Sequence, residues 1–177
     1  MTASVNLGKT KQAFGCSPYM EAYENEIRKH LVFLLEQGNA HAPFEKILAN
    51  IDPKNRVARP ANLPYSIWDL VEHIRIAQFD IVEFCMSESY QSPEWPKGYW
   101  PENAYEPTDQ EWEQSVMKIK RDRQRMIALV KDPSKNIFKP FSYGDGQNIF
   151  KESLLIADHT AYHLGEVLII RRLLNNW

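Results

Sequence analysis

At 177 residues, the chain is long enough to bury a hydrophobic core as one domain spanning 1–177. Hydrophobic residues make up 44% and charged residues 25% of it, a composition typical of globular proteins. The formal net charge of −2, without any polybasic run, argues against nucleic acid and anionic membranes as partners.

Signals for export or membrane insertion are not found in the sequence. Residues 1–20 contain no uninterrupted apolar run of the kind that signal peptides have. No apolar stretch is long enough to cross a bilayer as a helix. The two cysteines, Cys16 in a polar segment and Cys85 in an apolar one, do not suggest a disulfide framework. We therefore expect a cytoplasmic protein in which Cys85 is a small core residue.

Four long segments have apolar residues at the spacing of an amphipathic helix. The first runs from about Pro18 to Gln37 and is followed by Gly38, a typical helix stop. A short helix is predicted within 42–51, with Pro43 in its first turn.

The second and third long helices have capping signals at their starts. Ser66 followed by Asp69 resembles a capping box, and Thr108 with Glu111 gives a clearer one. The third helix is predicted to end before Pro133.

The fourth long helix is predicted from about Asn148 to Leu174. It is apolar on nearly all sides, which predicts that it is the most buried helix. The preceding segment 136–149 is compatible with a short hairpin, but no convincing period-two alternation occurs. Four long helices with short or moderate connections predict an all-α fold, a four-helix bundle.

A long connection, residues 87–107, joins the second and third long helices and contains four prolines and many aromatic residues. One interpretation is a packed surface loop whose prolines lower the entropy of the unfolded chain. The other is a wall or lid over a functional site. In that second case Trp95, Tyr99 and Trp100 are the candidate substrate-binding residues.

Three histidines lie within the predicted helices. His159 and His163 are four residues apart and so share a face of the last helix, and His73 lies at the edge of the apolar face of the second. The pair alone is compatible with two hydrogen-bonded core histidines. The third favours a metal site built between facing helices, with three imidazole ligands and one open position. Such a site accepts zinc or nickel, and also cobalt or copper.

Several other residues are candidates for supporting roles. Glu166 follows His163 by three residues and lies on the face that suits a hydrogen bond to a ligand histidine, as Glu152 does for His159. Each is otherwise a solvated or ion-paired charge. His41 lies in a turn and is either a structural residue near the short helix or an acid–base group.

The motifs "SIWDLVEHI" and "DHTAYHLGE" together resemble those of the DinB-like superfamily, which includes the YfiT-type proteins. The resemblance covers most of the chain, including "LLEQGNAHAPFEKILANI" and "SPEWPKGYWP". It implies a four-helix bundle with up-down-down-up topology, a homodimer, and a divalent metal held by His73, His159 and His163. The family often has glutamine where this chain has Glu166, so a role that depends on the glutamine amide is in doubt here.

The resemblance also implies a class of reaction. Characterised relatives include S-transferases that use bacillithiol, mycothiol or glutathione, and a thiol-dependent isomerase. We therefore expect a metal-dependent enzyme that conjugates a small thiol, acting as co-substrate, to a small-molecule substrate. The alternatives are a metal-dependent hydrolase that activates water, a non-enzymatic, stress-associated metal-binding bundle, and a bundle without metal.

Overall fold

A computed structural model of the protein describes residues 18–101 and 105–177. Cys16 lies outside these residues. The described chain is all-α, as predicted, and no β-strand occurs in it. Its six α-helices are α1 (Pro18–Gln37), α2 (Phe44–Leu48), α3 (Pro53–Arg56), α4 (Ile67–Met86), α5 (Asp109–Lys131) and α6 (Ile149–Leu173).

The predicted capping residues begin the long helices. The Asp69 backbone N–H donates to the Ser66 hydroxyl, and Asp69 accepts from the Ser66 backbone N–H at the start of α4. Thr108 and Glu111 make the same reciprocal pair before α5. Asn148 accepts from the third residue of α6. These caps explain why the boundaries of α4, α5 and α6 follow from the sequence.

The long helices pack around two hydrophobic clusters. α4 contacts α5 and α6, and α1 contacts the same two helices. One cluster joins α2, α4, α5 and α6 around Trp68 and Ile74, which are 1% and 0% exposed. The other lies around Leu35 of α1 and Met126 of α5. Cys85 is buried in this second cluster, as expected.

The most buried helix is α4, so the prediction for α6 was wrong. In α4, 13 of 20 residues are buried, whereas 9 of 25 are buried in α6. Leu155, Tyr162 and Ile169, at intervals of seven residues, are 44%, 66% and 53% exposed on one face of α6. A helix that is apolar on nearly all sides has an exposed apolar face when no other element of the chain packs on that face. The amino-acid composition of such a helix does not show whether the face is covered.

The connections differ from helix to helix. The described part of the connection from α4 to α5 contains a short 3-10 helix, Lys97–Tyr99. Between α5 and α6, the Phe141 N–H donates to the Gln147 carbonyl, but no strand forms over 136–148, so the hairpin is not found.

Within the described residues, no helix is both long and apolar enough to cross a membrane.

Candidate metal centre

The three histidines meet between α4 and α6. The Nε2 atoms of His73 and His159 lie 3.0 Å apart. One ring nitrogen from each of His73, His159 and His163 lies within 4.8 Å of the others. His73 and His163 are 4% and 7% exposed, and His159 is half-buried. A histidine cluster of this kind was predicted from the sequence spacing.

Hydrogen bonds fix the proton position on two of the rings. His73 Nδ1 lies 2.7 Å from the carbonyl oxygen of Tyr99, which can only accept. His163 Nδ1 lies 2.7 Å from a carboxylate oxygen of Glu166. Because both Nδ1 atoms donate, the Nε2 atoms of His73 and His163 carry lone pairs. These lone pairs face the space shared with His159, as ligand histidines require.

Glu166 connects the His163 imidazole to the phenol of Tyr65. Its other carboxylate oxygen accepts from the Tyr65 hydroxyl at 2.5 Å. This hydrogen bond, together with burial, raises the pKa of Tyr65 to about 12, so the phenol stays a donor. The Glu166 carboxylate thus bridges the His163 imidazole and the Tyr65 phenol. Nothing in the sequence around Tyr65 indicated that it would complete this arrangement.

The connection from α4 to α5 supplies a wall of the site. The Trp100 ring stacks on His73 with centroids 4.0 Å apart and planes at 5°. The Tyr99 hydroxyl donates to Asp80 at 2.7 Å, while its carbonyl accepts from His73. Tyr99 therefore joins the α4–α5 connection to two residues of α4, His73 and Asp80. Asp80 was not among the residues singled out in the sequence, because it contacts the site only through Tyr99.

A cavity of about 470 Å³ opens beside the three histidines. Of the three aromatic residues proposed to bind substrate, Trp95 and Trp100 line this cavity, whereas Tyr99 is not among its lining residues. Leu155, Tyr162 and Asp158 of α6 form the opposite side. Its walls are mainly apolar, with one carboxylate among the lining residues. Such a cavity suits a small molecule that approaches the histidine nitrogens.

Burial keeps two of the three histidines uncharged. Burial lowers the pKa of His73, although the Tyr99 carbonyl opposes this effect. Burial, with repulsion from His163 and His73, lowers the pKa of His159 to about 4. These imidazoles are therefore neutral at neutral pH, which is the form that binds a metal ion.

The donor set fits a divalent metal. Zinc binds imidazole nitrogen at about 2.0–2.1 Å, which places tetrahedral ligand nitrogens roughly 3.3 Å apart. The 3.0 Å between His73 and His159 is close to that value. Three imidazoles beside an open cavity leave a coordination position free, the pattern of catalytic rather than structural sites.

The other candidates lie elsewhere. His41 lines a different cavity, and its Nδ1 lies 2.9 Å from the Ala42 carbonyl. The structure does not bring it to the histidine cluster. Glu152 is 5% exposed, and burial raises its pKa; its charge interacts with Asp80 and Cys85 rather than with a histidine ring.

Comparison of the chain with protein-family models, curated proteins and solved structures finds no match.

Proposed function

We propose that this chain is a DinB-like, metal-dependent enzyme that transfers a small thiol to an electrophilic substrate. Its four long helices would form an up-down-down-up bundle, with zinc or nickel bound by His73, His159 and His163. The observation that carries the proposal is the meeting of three imidazole nitrogens beside an open cavity. A cytoplasmic location, where small thiols are kept reduced, belongs to the same proposal.

A divalent metal held by three imidazoles supplies Lewis acidity and lowers the pKa of a thiol or water that binds at its open position. The chain's own residues prepare the site for that chemistry. The Tyr99 carbonyl and the Glu166 carboxylate hold protons on Nδ1 of His73 and His163, so that both Nε2 atoms point into the site.

The cavity walls favour an apolar electrophile. Trp95, Trp100, Leu155 and Tyr162 offer aromatic and aliphatic surface that excludes water from the reacting atoms. In the transfer, the thiol loses its proton, its sulfur forms a bond to an electrophilic carbon, and a leaving group departs. Asp158, the carboxylate among the lining residues, is the group we assign to accept that proton.

The test measures two activities of the metal-loaded protein. Consumption of glutathione, bacillithiol or mycothiol is followed with chlorodinitrobenzene as electrophile, and hydrolysis of an activated ester is followed without thiol. We expect thiol consumption that is lost in His163→Ala and kept in His30→Ala, since His30 is exposed on α1. Ester hydrolysis without thiol consumption would replace the proposal with a hydrolase. Neither activity in metal-loaded protein would favour a non-enzymatic metal-binding protein.

A homodimer is the second part of the proposal. The exposed face of α6 presents Leu155, Tyr162 and Ile169 along its length, an apolar surface typical of interfaces. Because Leu155 and Tyr162 also line the cavity, a second copy on this face would partly cover the metal site. Sedimentation analysis tests it: we expect a dimer in the wild type and a monomer in Ile169→Asp. A monomeric wild type would contradict it without affecting the metal site.

A further inference from the structure

A second cavity, also of about 470 Å³, lies where the C-terminal end of α1 meets α2, α5 and α6. Its volume is in the range of sites that hold small molecules. Its lining residues include none of His73, His159 and His163. Asp158 is the one residue that lines both this cavity and the one beside the histidines. The two spaces are therefore separate sites on either side of α6.

The walls of this second cavity are largely apolar. Leu35, Phe44, Ile156 and Leu164 line it and are between 1% and 5% exposed. They come from α1, α2 and α6, so the cavity is enclosed by elements that also build the core. Walls of this kind favour the apolar body of a ligand over bulk water.

Three of the lining residues carry a buried polar atom without a hydrogen-bond partner in the described part of the chain. These atoms are Gln78 Oε1, Arg123 Nε and Thr160 Oγ1. The Gln78 amide nitrogen already donates to the Ile119 carbonyl, which leaves its oxygen as an acceptor. Buried polar atoms without partners are rare and destabilising, so three of them on residues that line one cavity favour a ligand with a polar group.

The charges around this cavity exclude a charged ligand. Arg123 is already paired with Glu45 at 2.7 Å, and its guanidinium lies over the Phe44 ring. Glu36 and Asp158 also line the cavity. An anionic group would meet these two carboxylates, and a cationic group would meet Arg123. An uncharged polar group meets no like charge.

We propose that this second cavity is a binding site for an uncharged, mainly apolar molecule that carries one amide or hydroxyl group. That group accepts from Arg123 Nε and the Thr160 hydroxyl and donates to Gln78 Oε1. The apolar part of the ligand fills the space between α1, α2 and α6. The site does not depend on the metal or on the proposed reaction.

The experiment titrates the full chain with four probes of one shape: hydrocinnamamide, hydrocinnamate, phenylpropylamine and propylbenzene. Methyl NMR signals of the alanines and leucines report where each probe binds, and titration calorimetry gives the affinity. We expect shifts at Leu34, Ala157 and Ala161, and the amide to bind at least about tenfold more tightly than the other three. Equal affinity for the amide and propylbenzene would overturn the polar part of the proposal.

Two variants and a control complete the test. Thr160→Val removes the hydroxyl at constant shape and is expected to weaken amide binding several-fold without changing propylbenzene binding. Ala161→Leu fills the cavity and is expected to abolish binding of both probes. The matched control is Ala128→Leu, on an exposed position of α5. Circular dichroism and metal content verify that each variant is folded. No amide-dependent shift in the wild type, or amide binding that persists in Ala161→Leu, would refute the site.

Discussion

The Nε2 atoms of His73 and His159 lie 3.0 Å apart although the residues are 86 positions apart in the chain. Because the Tyr99 carbonyl holds a proton on His73 Nδ1, the Nε2 of His73 faces its neighbour as a lone pair. A proton on His159 Nε2 makes this contact a hydrogen bond, whereas a bound cation would be coordinated by both nitrogens, with a ring nitrogen of His163 near enough to be a third ligand.

The first prediction concerns metal content. We expect the wild-type protein to bind zinc or nickel stoichiometrically, and His73→Ala, His159→Ala and His163→Ala each to lose it. Removing a ligand should weaken metal binding by more than the roughly 10- to 100-fold loss of affinity that follows removal of a residue that only hydrogen-bonds to a ligand. Elemental analysis after dialysis, followed by competition with a chelator, measures this.

His30→Ala is the matched control for these variants. His30 is exposed on α1, near Glu26, and lies outside the histidine cluster. Its removal should leave metal binding unchanged. Stoichiometric metal in all three cluster variants would rule out the three-histidine site.

The second prediction concerns Glu166. Glu166→Ala removes the acceptor for both His163 Nδ1 and the Tyr65 hydroxyl, so metal affinity should fall about 10- to 100-fold. Glu166→Gln keeps one carbonyl oxygen as an acceptor, and its affinity should lie between those of the wild type and Glu166→Ala. Chelator competition gives the affinities. Equal affinity in Glu166→Ala and the wild type would show that the Glu166 carboxylate does not orient the His163 ring.

The all-α class and the histidine cluster were more predictable from the sequence than the surroundings of the cluster. Capping residues are local signals, so Ser66 and Thr108 marked the starts of α4 and α5 correctly. Helical spacing likewise placed His159 and His163 on one face. The contacts of Tyr65 with Glu166 depend on a separation of 101 residues, which no local pattern encodes. The same limit explains the wrong prediction for α6.

Burial of α6 was mispredicted because hydrophobicity shows which residues favour burial, not whether a partner is present. Leu155, Tyr162 and Ile169 are apolar like the buried residues of the helix but are exposed in the chain.

The sequence also left the role of the α4–α5 connection open. Its prolines and aromatics were compatible with either a surface loop or a wall, and the stacking of Trp100 on His73 favours the wall.

The third prediction concerns pH and the metal-free protein. The pKa of His159 is about 4 in the folded chain, below the ordinary value of 6.5 that it regains on unfolding. Between these values the unfolded state binds a proton that the folded state does not. The contribution of His159 to the free energy of unfolding should therefore be fully retained above pH 6.5 and decrease as the pH falls toward 4, by at most about 1.4 kcal/mol per pH unit.

Urea unfolding at several pH values within this window measures the effect. His159→Asn cannot take up the proton, so its stability should fall less steeply with decreasing pH than that of the wild type. His30→Asn changes an exposed histidine and should leave the slope unchanged. A His159→Asn slope equal to that of the wild type would mean that His159 is not held neutral by the fold.

The last prediction concerns the tie between Tyr99 and Asp80. Burial and the hydrogen bond to Asp80 raise the pKa of Tyr99, so its hydroxyl remains the donor to that carboxylate. Tyr99→Phe leaves the buried Asp80 short of one donor and should lower the free energy of unfolding by about 1–3 kcal/mol. Since the Tyr99 carbonyl also accepts from His73, metal affinity should fall as well. Tyr23→Phe, on α1 and 66% exposed, is the control and should change neither quantity. Loss of stability with unchanged metal affinity would show that the tie supports the fold but does not position His73.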